Sequence, residues 1–119
     1  TISPDDMAVI RRQVEGFSAA RDRLPELSKL VEERDWTFTR NLIHGPMQEV
    51  SREMLYINQR LLPQDRAEAK NLATSLKDAL ADLDEAARLQ DAAKLQKAYD
   101  ELESGFTNYA TVIPEQALS

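Results

Sequence analysis

The chain has no cysteine among its 119 residues. Disulfides, thiolate metal sites and thiol nucleophiles are excluded on that ground alone, whichever compartment holds the protein. Histidine and tryptophan occur once each, as His44 and Trp36, and glycine three times. A di-iron bundle needs two Glu-x-x-His motifs; only one imidazole is present, and Asn41 stands where its glutamate would be. Covalent haem would need Cys-x-x-Cys-His. Non-covalent haem would need His44 to face inward opposite Met7, although His44 lies one position off the apolar stripe of its own helix. Gly-x-Ser-x-Gly turns and glycine-rich phosphate loops are both missing, and Ser51, Ser75 and Ser104 fall mid-helix, which removes the common hydrolase and nucleotide-binding arrangements. Neither an enzyme nor a bound cofactor or metal is expected. No apolar run approaches the ~18 residues of a membrane span. No charged-then-apolar leader opens the chain either, so for an exported protein the targeting segment is expected to have been removed ahead of Thr1.

Positive charge is also short. Lys and Arg number 15 against 21 Asp and Glu, giving a formal net charge of −6 and a pI near 4.8. No basic run offsets this balance, which argues against nucleic acid and against a bare anionic membrane as partners. Aromatics make up only 6% of the chain, and much of its 42% hydrophobic share is Ala and Leu, a composition that suits helices rather than sheet.

What is present is helical periodicity. From Asp35 to Pro63 the residues Trp36, Thr39, Ile43, Met47, Val50, Met54, Ile57 and Leu61 recur at spacings of three and four, with Asp35 placed as N-cap and Pro63 closing the run. Gly45-Pro46 interrupts this segment. A helical proline removes a donor and collides with the carbonyl four residues back, here Leu42, and glycine adds a penalty of roughly 1 kcal/mol. The stripe keeps its phase across the pair, so the expectation is one kinked helix, with Arg40 and His44 near the carbonyls freed at the kink. Replacing Gly45-Pro46 by Ala-Ala is then expected to raise helix stability and weaken docking, with thermal unfolding and partner affinity as the measures.

Ser3-Pro4-Asp5-Asp6 starts an earlier helix, whose face reads Met7, Ile10, Val14, Phe17, Ala20, Leu24, Leu27 and Val31, with a second kink expected at Pro25. After the Pro63 turn, Ala69, Leu72, Leu76, Leu80, Leu83 and Ala87 mark a third helix. A fourth, capped by Asp91, carries Leu95, Tyr99, Leu102, Phe106, Tyr109 and Ile113. The expected fold is all-α: an up-down-up-down four-helix bundle in one domain over 1–119, with helices at about 4–33, 35–62, 64–89 and 91–113.

Two groups invite a functional reading. Asp78, Asp82 and Glu85 share a helix face with Asp84 beside them; with Lys77 and Arg88 as neighbours they read as a solvated acidic stripe rather than a calcium site. The second group is Trp36, Arg40, His44, Gly45 and Pro46. An aromatic at the head of a stripe is core or interface anchor, and an unrepaid helix break marks function, so these five are the candidate partner-binding residues.

Asp35-Trp36, Asn41-Leu42-Ile43 with Gly45-Pro46, Leu61-Leu62-Pro63-Gln64-Asp65, Leu83-Asp84-Glu85-Ala86-Ala87, then Tyr99, Phe106 and Ile113-Pro114 together resemble the PsbQ family. The order and spacing of these segments carry the likeness, which runs from about Met7 to Pro114. The resemblance implies a four-helix bundle docked on lumenal subunits of photosystem II, helping to stabilise the oxygen-evolving complex and retain its calcium and chloride. Plant members are basic and carry a proline-rich arm, so this acidic chain is similar to the cyanobacterial branch. Its members resemble lipoproteins, and a thylakoid anchor is expected only through a lipidated cysteine ahead of Thr1. Two other readings stay open: a metal- or cofactor-binding helical bundle, and a helical adaptor unrelated to photosynthesis.

Overall fold

The computed structural model describes residues 1–118. The fold is all-α. Among the described residues there are six α-helices: α1 (Pro4–Arg21), α2 (Leu24–Glu32), α3 (Trp36–His44), α4 (Val50–Arg60), α5 (Arg66–Arg88) and α6 (Ala92–Ala110). Single 3₁₀ turns lie at Pro63–Asp65 and Glu115–Ala117.

Local chemistry sets the helix ends. Ser3 accepts the Asp6 N–H at 3.1 Å, and Pro4 occupies the first helical position, where its missing donor costs nothing. Asp35 and Asp91 cap α3 and α6 by accepting from Phe38 and Lys94 at 3.0 and 3.1 Å. The links ahead of these two caps are built alike. Arg34 and Gln90 each sit at φ 55°, and the following aspartate N–H reaches back to Leu30 and Ala86 carbonyls at 2.9 and 3.0 Å. Both are Schellman closures, made here without the glycine that usually serves them. Each link is three residues long.

One apolar cluster gathers residues from every α-helix. α1 packs on α4, α5 on α6, α3 and α4 on α5, and α2 on α3 and α6. The α5–α6 approach is close where Gly105 lies against Leu76: a Cβ on Gly105 would lie 3.3 Å from the Leu76 Cα. Between α1 and α6 the Phe17 ring sits 5.3 Å from both Phe106 and Tyr109 in tilted geometry. Tyr109 is fully buried, yet its hydroxyl donates to Asn58 Oδ1 at 2.6 Å, so the polar end is satisfied. Burial pushes that phenol far above its ordinary range.

Two of the four long helices expected from periodicity are each interrupted. α1 stops at Arg21, four residues before Pro25, which has no N–H for the Arg21 carbonyl and whose ring would strike it. Asp22 and Arg23 form the turn, and Pro25 becomes the second residue of α2. The break thus lies upstream of the expected kink. The expected kinked helix over 35–62 is α3 and α4, separated by a five-residue turn from Gly45 to Glu49.

Hydrogen bonding explains how the stripe survives this second break. The Leu42 carbonyl takes the N–H of Met47, five residues on, at 3.1 Å; the Gly45 and Met47 carbonyls then take those of Gln48 and Val50, three residues on, at 3.1 and 3.3 Å. One wide closure followed by two tight ones averages near the ordinary helical advance. Ile43, Met47 and Val50 are consequently all buried on one side. The apolar face is continuous where the helix is not.

Gly45, at the end of α3, and Gly16, on α1 against α4, behave oppositely. A Cβ on Gly45 would lie 2.8 Å from the Asn41 carbonyl oxygen, a backbone atom that cannot step aside. While the turn keeps this geometry, position 45 has no room for a side chain. A Cβ on Gly16 would instead overlap the Glu53 carboxylate, the free end of a side chain laid over α1. Burial, then the charge of Glu49, pushes the Glu53 carboxyl up from its ordinary value. That carboxylate gains by leaving. Gly16→Ala is therefore expected to stabilise by about 0.5–1 kcal/mol and return Glu53 toward ordinary titration, whereas Gly45→Ala destabilises by more than about 1 kcal/mol. Urea unfolding midpoints and a carboxyl titration followed by NMR check both.

Candidate functional site

Trp36, Arg40 and His44 stand four residues apart on α3, so they share one helical face. That face meets the last turns of α5. With Thr37 and Asn41 the three form one wall of a shallow groove of about 400 Å³; Ala87, Arg88 and Gln90 form the other. Gly45 and Pro46, the remaining two sequence candidates, are exposed in the turn beyond His44 and do not line the groove. Their part is local: they end α3 and leave His44 in its last turn.

Arg40 and His44 do not sit on the carbonyls freed at the break, as the sequence suggested. Both turn to Asp84 of α5. Arg40 Nε and His44 Nε2 each lie 3.0 Å from the same oxygen, Asp84 Oδ1. The reason is geometric: α3 packs on α5, and Asp84 borders the buried pair Leu83 and Ala87, so its carboxylate faces α3 rather than water. Its side chain is only 25% exposed, against 41% for Arg40 and 57% for His44. Partial burial pushes the Asp84 carboxyl up, but hydrogen bonds from Arg40 and His44 outweigh it and hold the group below its usual range.

Arg88 is held from behind in a similar way. Its Nη2 and Nε donate to the two Glu85 oxygens at 2.7 and 3.1 Å, and these bonds lower the Glu85 carboxyl. The acidic stripe is thus divided. Asp78 and Asp82 are exposed, Glu85 serves Arg88, and Asp84 serves α3. Reading the stripe as solvated missed Asp84, and no local signal marks it, because its partners lie 40 and 44 positions away.

Trp36 is half-buried and packs against the core, so it is both the head of the stripe and the apolar part of the groove. Among the described residues, no set of three or more His, Asp or Glu side chains converges as a metal site. Met7 lies far from His44, in a larger groove of about 710 Å³ beside Leu61, Leu62 and Ile113. The two side chains do not face each other as axial haem ligands would. The groove's chemistry is that of donors: two guanidinium groups, an imidazole, two carboxamides, a hydroxyl and an indole N–H.

Asp84→Asn is expected to cost about 1 kcal/mol at neutral pH, where the carboxylate holds two donors. Because the folded carboxyl titrates below the ordinary 3.8, the wild-type advantage is present above that value and shrinks as pH falls below it. Paired urea titrations of the two proteins at several pH values measure this; an advantage that grew on acidification would contradict it.

Two comparisons with known proteins bear on the whole chain. A family model described as oxygen evolving enhancer protein 3, PsbQ, matches residues 5–114. The protein CyanoQ of Synechocystis sp. is 31% identical over 116 residues, which covers 97% of this chain and 78% of the relative.

Proposed function

The chain belongs to the PsbQ family, and from that premise we propose that it is a non-catalytic extrinsic subunit on the lumenal side of photosystem II. In this reading it stabilises the oxygen-evolving complex and helps retain its calcium and chloride without performing the chemistry. The observation that carries the reading is the extent of the match, residues 5–114, which takes in the groove between α3 and α5 and, but for Pro4, the six helices. No helix of the described residues is long and apolar enough to cross a membrane.

We read the six helices as four rods of a single up-down-up-down bundle, α1 with α2, α3 with α4, then α5 and α6. Support comes from what meets at each end. Ile2, Leu61 and Ile113 border one groove, whereas Trp36 and Gln90, which follow and end the other two links, border another. Asp6 with Arg60, and Gly16 with Glu53, fit an antiparallel α1 and α4.

The docking face in this reading is the α3–α5 groove with Trp36, Arg40 and His44, and Gly45-Pro46 as the break that shapes its end. Trp36 offers a large half-buried aromatic, the kind of group that anchors interfaces. The formal charge of −6 would steer the chain toward basic lumenal surfaces and make docking salt-sensitive.

Reconstitution tests the proposal. Photosystem II depleted of extrinsic subunits should bind the chain stoichiometrically, regain oxygen evolution at limiting calcium and chloride, and lose the chain again at high salt. Binding with no gain in activity would remove the role in ion retention. Absence of binding, with a native or an N-terminally lipidated chain, would remove the subunit reading itself.

A further inference from the structure

We propose that the α3–α5 groove takes an acidic protein segment, its Asp or Glu carboxylate held between Arg40 and Arg88 with Trp36 as the apolar contact beside it. The inference rests on the photosystem II reading and names the chemistry of the partner at that same site. It starts from which groups line the groove. The chain as a whole is acidic, but no carboxylate lines this groove, which is walled by Arg40, His44 and Arg88 together with neutral donors. Asp84 and Glu85 lie behind the wall. They engage Arg40 through its Nε and Arg88 through Nε and Nη2, which fixes where the guanidinium planes stand. A guanidinium carries five N–H donors, so each still has donors for a second carboxylate.

Neutral donors add to this. Thr37 and Asn41 sit along the α3 wall and Gln90 closes the far end, so the groove can hold the backbone of an extended segment as well as its charge. Trp36 gives the segment an apolar neighbour. A phosphate-rich surface fits less well, because the remainder of an acidic chain would be repelled by a polyanion while a short acidic segment meets only the groove.

Binding to depleted photosystem II core particles, read as dissociation constants, tests the proposal. Thr37→Glu adds a carboxylate on the groove wall three residues before Arg40, where it competes for that guanidinium, and should raise the constant about tenfold or more, as should Arg88→Glu. Thr107→Glu makes the same charge change on α6, outside the groove, and should leave the constant within about twofold. Circular dichroism of each variant confirms that the helices are intact. With Arg88→Lys, a water-soluble carbodiimide should join the new amine to an Asp or Glu of a core subunit, found as an isopeptide by mass spectrometry. Wild-type binding that Thr37→Glu and Arg88→Glu leave unchanged would overturn the acidic segment while keeping the subunit reading. Wild-type failure to bind would overturn the subunit reading itself. Vesicles of phosphatidylglycerol form the last arm: binding there that the same variants abolish would assign the groove to a lipid headgroup instead.

Discussion

Every helix in this chain must turn an apolar stripe to one shared core, and the phase of that stripe is held even where the helix stops. Burying a side chain such as Ile or Met is worth roughly 1.5–3 kcal/mol, and the stripe through α3 and α4 holds six fully or nearly buried apolar residues, Ile43, Met47, Val50, Met54, Ile57 and Leu61. A break that rotated α4 away from the core would forfeit most of that. A proline in the segment costs about 3 kcal/mol. The inequality decides the structure: the backbone bends its hydrogen bonding around Pro46, and Met47 stays inside.

The same constraint produces the groove. Because the phase is fixed by Ile43 and Met47, the neighbouring face with Trp36, Arg40 and His44 has only one place to go, against the end of α5. Ending α3 at His44 leaves its ring in the last turn, where the side chain can reach across to Asp84. Gly45 is needed because the chain leaves the helix so tightly that a side chain would meet the Asn41 carbonyl. What the sequence presented as an unrepaid cost is met by these two gains, a buried Met47 and a positioned His44.

Periodicity made the core legible residue by residue. Ile10, Val14, Phe17, Leu27, Val50, Met54, Leu83, Leu102 and Phe106, all readable from spacings of three and four, are buried. Two kinds of information stayed hidden. The first was where a helix yields to proline: the ring clashes four residues upstream, so breaks fall at Asp22-Arg23 and from Gly45 onward, and a stripe that keeps its phase gives no sign of them. The second was pairing across helices. Arg40 and His44 were visible as candidates from their own segment, but Asp84 was not, because no local pattern tells which member of an acidic run faces a neighbouring helix. Gly105 and Ala73, buried on α6 and α5, escaped notice for a related reason, since they carry little hydrophobic signal.

Electrostatics on this molecule works at two ranges. Beyond the Debye length of about 10 Å at 0.1 M salt, a partner meets a weak field set by the net charge of −6, which favours approach to basic surfaces. At contact the local arrangement dominates, and the groove presents guanidinium donors with their paired carboxylates set outside its lining. Asp84 and Glu85 have a double effect there. They neutralise much of the charge of Arg40 and Arg88, which keeps the wall from opposing the long-range field. They also fix the guanidinium groups, so that less side-chain entropy is lost when a second carboxylate arrives. A wall of this kind contributes little to how strongly the chain is attracted and much to how it is turned once it lands, as expected where charge complementarity sets orientation more than affinity.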